Sequence, residues 1–206
     1  MIHFFSGLFG DAETWCSYQH LGENRIYNIS DLPGKINSED ILIGYSMGGR
    51  IALQLASDVN FQFKKLILLS AHPGLNETEK PDRQIWENNI LEKMDRLGPK
   101  KFLEFWETLD IFSQGQVQKE LSKENFTAHR HYFDHLRLSM QKNYLPEMIL
   151  HKHKITFIYG NHDAKYSKLA QKLRSNEINC IEIDSDHRVY LKPKLLIPIP
   201  QRELTP

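Results

Sequence analysis

The sequence predicts an α/β fold with a mostly parallel sheet and a helical cap inserted after the fourth strand. Short apolar runs alternate with helix-like segments, which is the order that parallel β-α-β units require. The 206-residue length suits a single domain, residues 1–206, with a full hydrophobic core. The predicted strands are Ile2 to Phe5, Arg25 to Ile29, Ile41 to Gly44, Lys65 to Leu69, Lys154 to Tyr159 and Asn179 to Ile183.

Helices are predicted between these strands. Asp11 to Leu21 begins with an N-cap residue, Met47 to Ser57 carries an apolar face, and Lys168 to Ser175 follows the fifth strand. Residues 72–150 contain helical patterns, such as WENNILEKMDRLG and KKFLEFWETLDIF, and no convincing strand. An insertion here would lie over the carboxyl ends of the strands, where open α/β sheets bind ligands. We interpret it as a cap over a site, and a helical subdomain without ligand contact is the alternative.

Composition excludes several classes of function. The 26 basic and 26 acidic residues cancel, so there is no electrostatic footprint for nucleic acid or an anionic membrane. No apolar run reaches the roughly 20 residues that span a bilayer, and MIHFFSGLFG has no preceding basic segment typical of a secretory signal. Two cysteines, Cys16 and Cys180, indicate reduced thiols and a cytoplasmic location. Nothing in the sequence predicts a cofactor.

Ser46 lies in the pattern G-Y-S-M-G, between a predicted strand and a predicted helix. This strand–turn–helix context is what the G-x-S-x-G nucleophile elbow requires, whereas the pattern alone is weak because small residues are common in turns. The hydroxyl would project at the start of a helix, where unpaired N–H groups favour negative charge. We therefore predict Ser46 as a nucleophile, with the N–H groups of Met47 and Leu8 as oxyanion donors.

A catalytic serine needs a base, and the base needs an orienting carboxylate. For this type of elbow the chain order is serine, acid, histidine. Asp163 follows the fifth strand and His187 follows the sixth, so both stand at strand ends in that order. Asp184 and Asp186 are rival acids but lie too near His187 in sequence. His162 is a rival base but directly precedes the predicted acid.

Five segments resemble the α/β-hydrolase superfamily and, within it, the 2-succinyl-6-hydroxy-2,4-cyclohexadiene-1-carboxylate (SHCHC) synthases of menaquinone biosynthesis. The segments are FFSGLFGDAETW, DLPG at Asp31, GYSMGGR at Gly44, AHPGL at Ala71 and GNHDAKY at Gly160. The G-x-S-x-G element is common to the superfamily, whereas the Arg after the serine, HPGL and the Lys-Tyr pair are more particular to the synthases. The resemblance covers most of residues 1 to 190.

The resemblance implies a lyase reaction in which the triad removes a proton from a succinyl-enolpyruvyl-cyclohexene substrate and pyruvate is eliminated. Such a substrate carries several carboxylates, so arginines are expected in the pocket. The predicted substrate-binding residues are Arg50, Arg83, Tyr45, Trp86, Lys165 and Tyr166. For each arginine a surface charge or a structural ion pair is the alternative, and for the aromatic residues a place in the core.

The sequence also departs from the synthase pattern. Ser6 stands where the family has a histidine before the first-loop glycine, and a helix expected between DLPG and the elbow strand is missing. Pro193, Pro198 and Pro200 argue against the usual closing helix. The chain is therefore predicted to be a minimal, trimmed α/β-hydrolase fold, and an exposed apolar face could favour a homodimer.

Two alternatives to the synthase stay open. One is a carboxylic ester hydrolase, such as the esterase that demethylates pimeloyl-carrier-protein methyl ester in biotin synthesis, with Ser46 forming an acyl-enzyme. It would need a basic surface for the acyl carrier protein, for which the candidates are Lys142, His151, Lys152, His153 and Lys154. The other is a catalytically inactive binding module.

A metal site has a weak signal in HRHYFDH. His131 and His135 are one helical turn apart, a spacing that could bind zinc. No third ligand is placed by the sequence, so we predict no metal and interpret these histidines as surface or cap residues.

Overall fold

The computed structural model describes residues 1–29, 32–113 and 120–192. Within these residues a parallel sheet has the order β2-β1-β3-β4-β5-β6. Its strands are β1 (Ile2–Phe5), β2 (Asn24–Tyr27), β3 (Ile41–Tyr45), β4 (Lys65–Leu69), β5 (Ile155–Gly160) and β6 (Asn179–Ile183). Each pair of neighbouring strands is parallel, so the predicted α/β class is confirmed.

The two faces of the sheet are buried in two separate clusters. Phe5, Leu42 and Leu68 point to the face covered by helices and by residues 72–150. Phe4 and Ile43 point to the opposite face, beside Trp15, Tyr18 and Val189. Because both faces are covered, β3 and β5 are buried along their whole length, which explains their unbroken apolar runs.

The first helical segment differs in type from the prediction. Ala12–Leu21 is a 3₁₀ helix, and Asp11 caps it by accepting the Glu13 N–H at 3.0 Å. Trp15 and Tyr18 are both buried against Phe4. Their spacing of three residues puts them on one side of a 3₁₀ helix, which has three residues per turn.

Two α-helices follow strands at the carboxyl edge of the sheet. α1 (Met47–Asp58) follows β3, and α5 (Ala164–Arg174) follows β5. α5 begins earlier than the predicted Lys168, because Asp163 acts as its N-cap and accepts the Tyr166 N–H at 3.1 Å.

The insertion, residues 72–150, contains α2 (Lys80–Trp106), α3 (Lys123–His135) and α4 (Leu145–Leu150). α2 is kinked at Gly98, which has φ 69° and is followed by Pro99. The helical pattern predicted through Phe112 ends at Trp106, beyond which the chain forms turns. Among the described helices, none is both long and apolar enough to cross a bilayer.

Some predictions fall partly or wholly outside the described residues. Asp31 of the DLPG turn is one of them. The prolines that argued against a closing helix also lie outside the described residues: Pro193, Pro198 and Pro200.

Strand β2 ends at Tyr27, two residues before the predicted Ile29.

Candidate active site

Ser46 lies in a strained turn between β3 and α1. Its backbone has φ 50° and ψ −114°, a conformation that a residue with a Cβ adopts only when its surroundings impose it. A Cβ on Gly48 would come within 2.2 Å of the Phe5 carbonyl oxygen, and one on Gly44 within 2.5 Å of the Gly49 Cα. The glycines therefore allow α1 to approach β1 and β3 closely, and this approach fixes the turn.

Ser46, His187 and Asp163 form one chain of hydrogen bonds. The Ser46 Oγ lies 3.0 Å from His187 Nε2, and His187 Nδ1 lies 2.8 Å from Asp163 Oδ2. Asp163 is fully buried and His187 nearly so. A neutral imidazole that donates from Nδ1 to Asp163 and accepts the serine hydroxyl at Nε2 fits both contacts. This arrangement can move a proton from the serine to the imidazole.

The rival residues lie outside this chain. His162 is exposed and contacts Asp184 Oδ1 at 2.8 Å. Asp186 is buried but pairs with the Arg188 guanidinium at 2.7 Å.

Aromatic rings surround the His187 imidazole. Tyr166, Tyr45 and Phe112 have ring centroids 4.8, 5.5 and 5.8 Å from it. Burial, followed by the charge of Asp163, raises the pKa of Tyr166 to about 12. Burial also raises the pKa of Tyr45 well above its usual range, so both phenols are neutral at physiological pH. These rings exclude water from the Asp163–His187 contact.

Ser46 and His187 open into a cavity of about 380 Å³ beneath the insertion. Most of the residues predicted for the site line it: Leu8, Ser46, Met47, Arg50, Arg83, Trp86, Lys165, Tyr166 and His187. Tyr45 does not line it, contrary to the prediction. Its ring packs instead against His187 and Tyr190, because residues alternate along β3 and Tyr45 points to the opposite face of the sheet.

Leu8 and Met47 bring backbone N–H groups to this cavity. Both residues line it beside Ser46, and Met47 is the first residue of α1. Neither N–H donates to another group in the described part of the chain. These two N–H groups are therefore free to bind an oxyanion.

Three cationic side chains line the same cavity. Arg50 donates to the Leu136 carbonyl oxygen at 2.7 Å and to Gln141 Oε1 at 3.2 Å. Arg83 lies over the Trp86 ring at 4.1 Å and donates to Glu87 Oε1 at 2.8 Å. The third cation is Lys165.

The pKa values of Arg50 and Lys165 leave both side chains charged at neutral pH. Burial lowers the pKa of Arg50 to about 10. Desolvation by the surrounding protein, followed by the charge of Arg83, lowers the pKa of Lys165 to about 8, although the residue is partly exposed to solvent. The cavity wall therefore attracts anions at neutral pH.

Several cavity residues were not predicted from the sequence: His72, Trp106, Leu109, Asp110, Ile111, Phe133 and Leu138. His72 lies three residues after the end of β4, and this position near a strand end was a usable signal. Burial, followed by the charge of Lys165, lowers its pKa to about 3. It is therefore neutral at physiological pH, and it accepts the Gly74 N–H at 3.1 Å.

Known structures share this architecture. MenH from S. aureus aligns with a TM-score of 0.73 and 21% identity over 99% of this chain and 94% of that chain. A thermophilic esterase from Thermogutta terrifontis, solved with malate bound, aligns with a TM-score of 0.64 and 15% identity over 98% and 89%. The chain has the α/β-hydrolase fold.

In sequence, the chain is similar to SHCHC synthases. It is 26% identical to the synthase of Klebsiella pneumoniae over 156 residues, which are 70% of this chain and 62% of that protein. It is 25% identical to the synthase of Citrobacter koseri over 82% of this chain and 80% of that protein. A 76-residue stretch is 36% identical to a Bacillus subtilis protein provisionally named as the same synthase, over 28% of its length. The match thus spans less than two thirds of the B. subtilis and K. pneumoniae proteins, and no protein-family model matches the chain.

No group of three or more metal-binding side chains occurs within the described ranges of the chain. His131 and His135 have ring centroids 3.9 Å apart, and His135 Nδ1 contacts the His131 carbonyl oxygen. The two rings are tilted by 41° to each other along α3, and no third ligand lies beside them among the described side chains.

Proposed function

We propose that the protein is a lyase that eliminates pyruvate from a succinyl-enolpyruvyl-cyclohexene carboxylate to give SHCHC. The observation that carries this proposal is the placement of Arg50, Arg83 and Lys165 in one cavity with the Ser46–His187 pair. The relatives named SHCHC synthase support the same reaction. These three cations would form no ion pairs with an apolar ester, whereas they would form ion pairs with a substrate that carries several carboxylates.

In this proposal the hydrogen-bonded chain acts as the base. Asp163 orients the His187 imidazole and stabilises its protonated form. The Ser46–His187 pair removes a proton from a ring carbon, and the electron pair is delocalised onto a conjugated carbonyl. The Leu8 and Met47 N–H groups stabilise this enolate. The C–O bond to the enolpyruvyl group then breaks, and the departing enolate takes up a proton to become pyruvate.

The cations bind and orient the substrate carboxylates. Arg83 lies over the Trp86 ring and its Nε donates to Glu87, so its guanidinium is held in place for contacts with a carboxylate. Lys165 adds a compact charge, and Tyr166 completes the wall beside His187. Binding of a rigid ring with several carboxylates by such fixed groups costs little ordering entropy.

An ester hydrolase is the alternative, supported by the elbow and by esterases among the structural neighbours. The basic surface proposed for a carrier protein is already engaged in local contacts. Lys142 pairs with Glu147, Lys152 pairs with Glu177, and Lys154 donates to the Phe61 carbonyl oxygen at 2.9 Å. This weakens the carrier-protein alternative and favours a small carboxylate substrate.

The proposal also includes a cellular location and an oligomeric state. The cysteines Cys16 and Cys180 are unpaired, which supports a reducing cytoplasm. A homodimer formed through the trimmed face remains a prediction.

The test is to incubate the protein with the enolpyruvyl substrate and, separately, with a pimeloyl methyl ester, and to measure pyruvate and methanol. We expect pyruvate release, with KM raised in Arg83→Gln and Lys165→Gln. Arg96→Gln, an exposed position on α2, is the matched control and should match the wild type. Methanol release alone would establish the esterase, and neither product from folded protein would indicate a binding module.

A further inference from the structure

The loop that carries His187 is bound to one short segment of the insertion, residues 107–112. The His187 N–H donates to the Ile111 carbonyl oxygen at 3.0 Å. Arg188 Nη1 donates to Glu107 Oε2 at 2.7 Å. Phe112 lies between the two loop side chains, edge-on to the His187 ring at 5.8 Å and under the Arg188 guanidinium at 4.9 Å.

Arg188 is also fixed from its other side. Its backbone N–H donates to Asp186 Oδ1 at 2.8 Å, and its Nη2 donates to Asp186 Oδ2 at 2.7 Å. Arg188 and Asp186 are almost fully buried, and Glu107 is mostly buried. A buried ion pair with this many hydrogen bonds holds its elements in one arrangement, because breaking any contact leaves a desolvated charge.

The segment 107–112 also forms part of the cavity wall. Leu109, Asp110 and Ile111 line the cavity beside Ser46 and His187. One piece of chain therefore touches the space for the substrate and supports the residue next to it.

We propose that Arg188 and Glu107 are positioning residues for His187, which rests on the proposed role of His187 as the base. Their ion pair seats segment 107–112 against the loop and keeps the imidazole at hydrogen-bonding distance from the Ser46 hydroxyl. A misplacement of about 1 Å in such a pair can cost on the order of 100-fold in rate. Loss of the pair should therefore lower the reactivity of Ser46 without removing any member of the hydrogen-bonded chain.

The test measures the reactivity of Ser46 with a fluorophosphonate, which does not depend on the natural substrate. The Ser46 oxygen bonds to phosphorus, fluoride leaves, and His187 takes the hydroxyl proton. We expect labelling of Ser46 to be about 10- to 100-fold slower in Glu107→Gln than in the wild type. Arg188→Lys should be labelled faster than Arg188→Gln, because lysine keeps the positive charge of the ion pair. Glu104→Gln, an exposed position one turn earlier on α2, is the matched control and should label at the wild-type rate.

A second measurement reports on the imidazole directly. The His187 Nδ1 proton, bonded to Asp163, should give a downfield proton resonance that shifts or broadens in Glu107→Gln and not in Glu104→Gln. The Glu107→Gln variant should stay folded because Arg188 keeps its contacts with Asp186, and circular dichroism checks this. Labelling of folded Glu107→Gln at the wild-type rate, or an unchanged resonance, would overturn the inference. Wild-type protein that labels rapidly but releases no pyruvate would instead count against the synthase alone.

Discussion

At the residue scale, Asp163 makes two separate hydrogen-bonding contributions. Its Oδ2 contacts His187 Nδ1 at 2.8 Å, and its Oδ1 accepts the Tyr166 N–H at 3.1 Å. One oxygen thus orients the imidazole while the other caps α5. A substitution that preserves shape and removes charge can separate these two contributions.

Asp163→Asn should keep the helix cap and lose the charge beside His187. An amide oxygen still accepts the Tyr166 N–H, so the melting temperature should fall only slightly. The amide cannot stabilise a protonated imidazole, and comparable changes lower kcat by about 10⁴-fold. Steady-state pyruvate release and thermal unfolding measure the two effects. Asp184→Asn, at an exposed carboxylate, is the control, and a loss below roughly 10-fold in Asp163→Asn would remove Asp163 from the mechanism.

Lys165 should make substrate affinity depend on pH. Its pKa of about 8 lies below the usual value for lysine, so the ammonium is present below that pH and lost above it. The cavity therefore loses one positive charge as the pH rises through about 8. KM should increase by roughly 10-fold, the equivalent of one charge contact of about 1.4 kcal/mol. Lys165→Arg keeps its charge and should abolish this rise, whereas a rise that persists in the variant would assign it to another group.

At the element scale, the elbow depends on how closely α1 approaches β1. The helix begins directly after Ser46, and its glycines face the backbone of Phe5 and Gly44. The same approach brings the Leu8 and Met47 N–H groups to one cavity with Ser46. The geometry of the oxyanion donors is therefore set by packing between elements.

Gly48→Ala should disrupt this packing. The new Cβ would lie 2.2 Å from the Phe5 carbonyl oxygen, so α1 must move away from β1. Overpacking of this kind costs about 1–3 kcal/mol in the free energy of unfolding, and the oxyanion donors should separate as well. Chemical denaturation and pyruvate release measure the two losses. Gly34→Ala is the control because no heavy atom lies within 4 Å of its added Cβ. Equal stability of the two variants would refute the packing argument.

Elements were predictable from the sequence where the signal is local. The bounds of β1, β4 and β6 are as predicted, because β1 and β4 are short, mostly apolar runs and β6 alternates apolar and polar residues. The 3₁₀ form of Ala12–Leu21 could not be predicted from the sequence, because it depends on packing of Trp15 and Tyr18 against the sheet.

In the candidate site, too, some residues have a local sequence signal and others depend on tertiary contacts. Ser46, Asp163 and His187 could be proposed because each follows a strand, and parallel strands end at one edge of a sheet. The contacts of Arg188 with Glu107 join residues 81 positions apart, and no sequence period encodes such a pair. The sequence does not show which face of the sheet Tyr45 occupies, because β3 is buried on both faces and its apolar pattern does not distinguish them.

At the scale of the whole molecule, the insertion and the sheet enclose the cavity together. They are joined by hydrogen bonds from Arg50 to the Leu136 carbonyl oxygen and from the His187 N–H to the Ile111 carbonyl oxygen. A ligand in the cavity contacts both parts. Its binding should therefore stabilise the whole chain against unfolding.

An aromatic dicarboxylate that resembles the product should raise the melting temperature. At about 100 times its Kd, a ligand contributes about 2.7 kcal/mol, which corresponds to roughly 5–10 °C for a chain of this size. Differential scanning fluorimetry measures the shift. The double variant Arg83→Gln/Lys165→Gln should lose most of it, while Arg96→Gln should keep it. An equal shift in the double variant would place the ligand elsewhere.

The most direct test of the central claim is pyruvate release by Ser46→Ala beside the wild type, with Ser57→Ala as the control on the same helix. Removal of one hydroxyl should leave the fold intact, since the Ser46 hydroxyl lies in the cavity wall beside His187. The account predicts rapid pyruvate release by the wild type and Ser57→Ala, and almost none by Ser46→Ala. Retained pyruvate release by folded Ser46→Ala would contradict it, because the reaction would then proceed without the elbow serine.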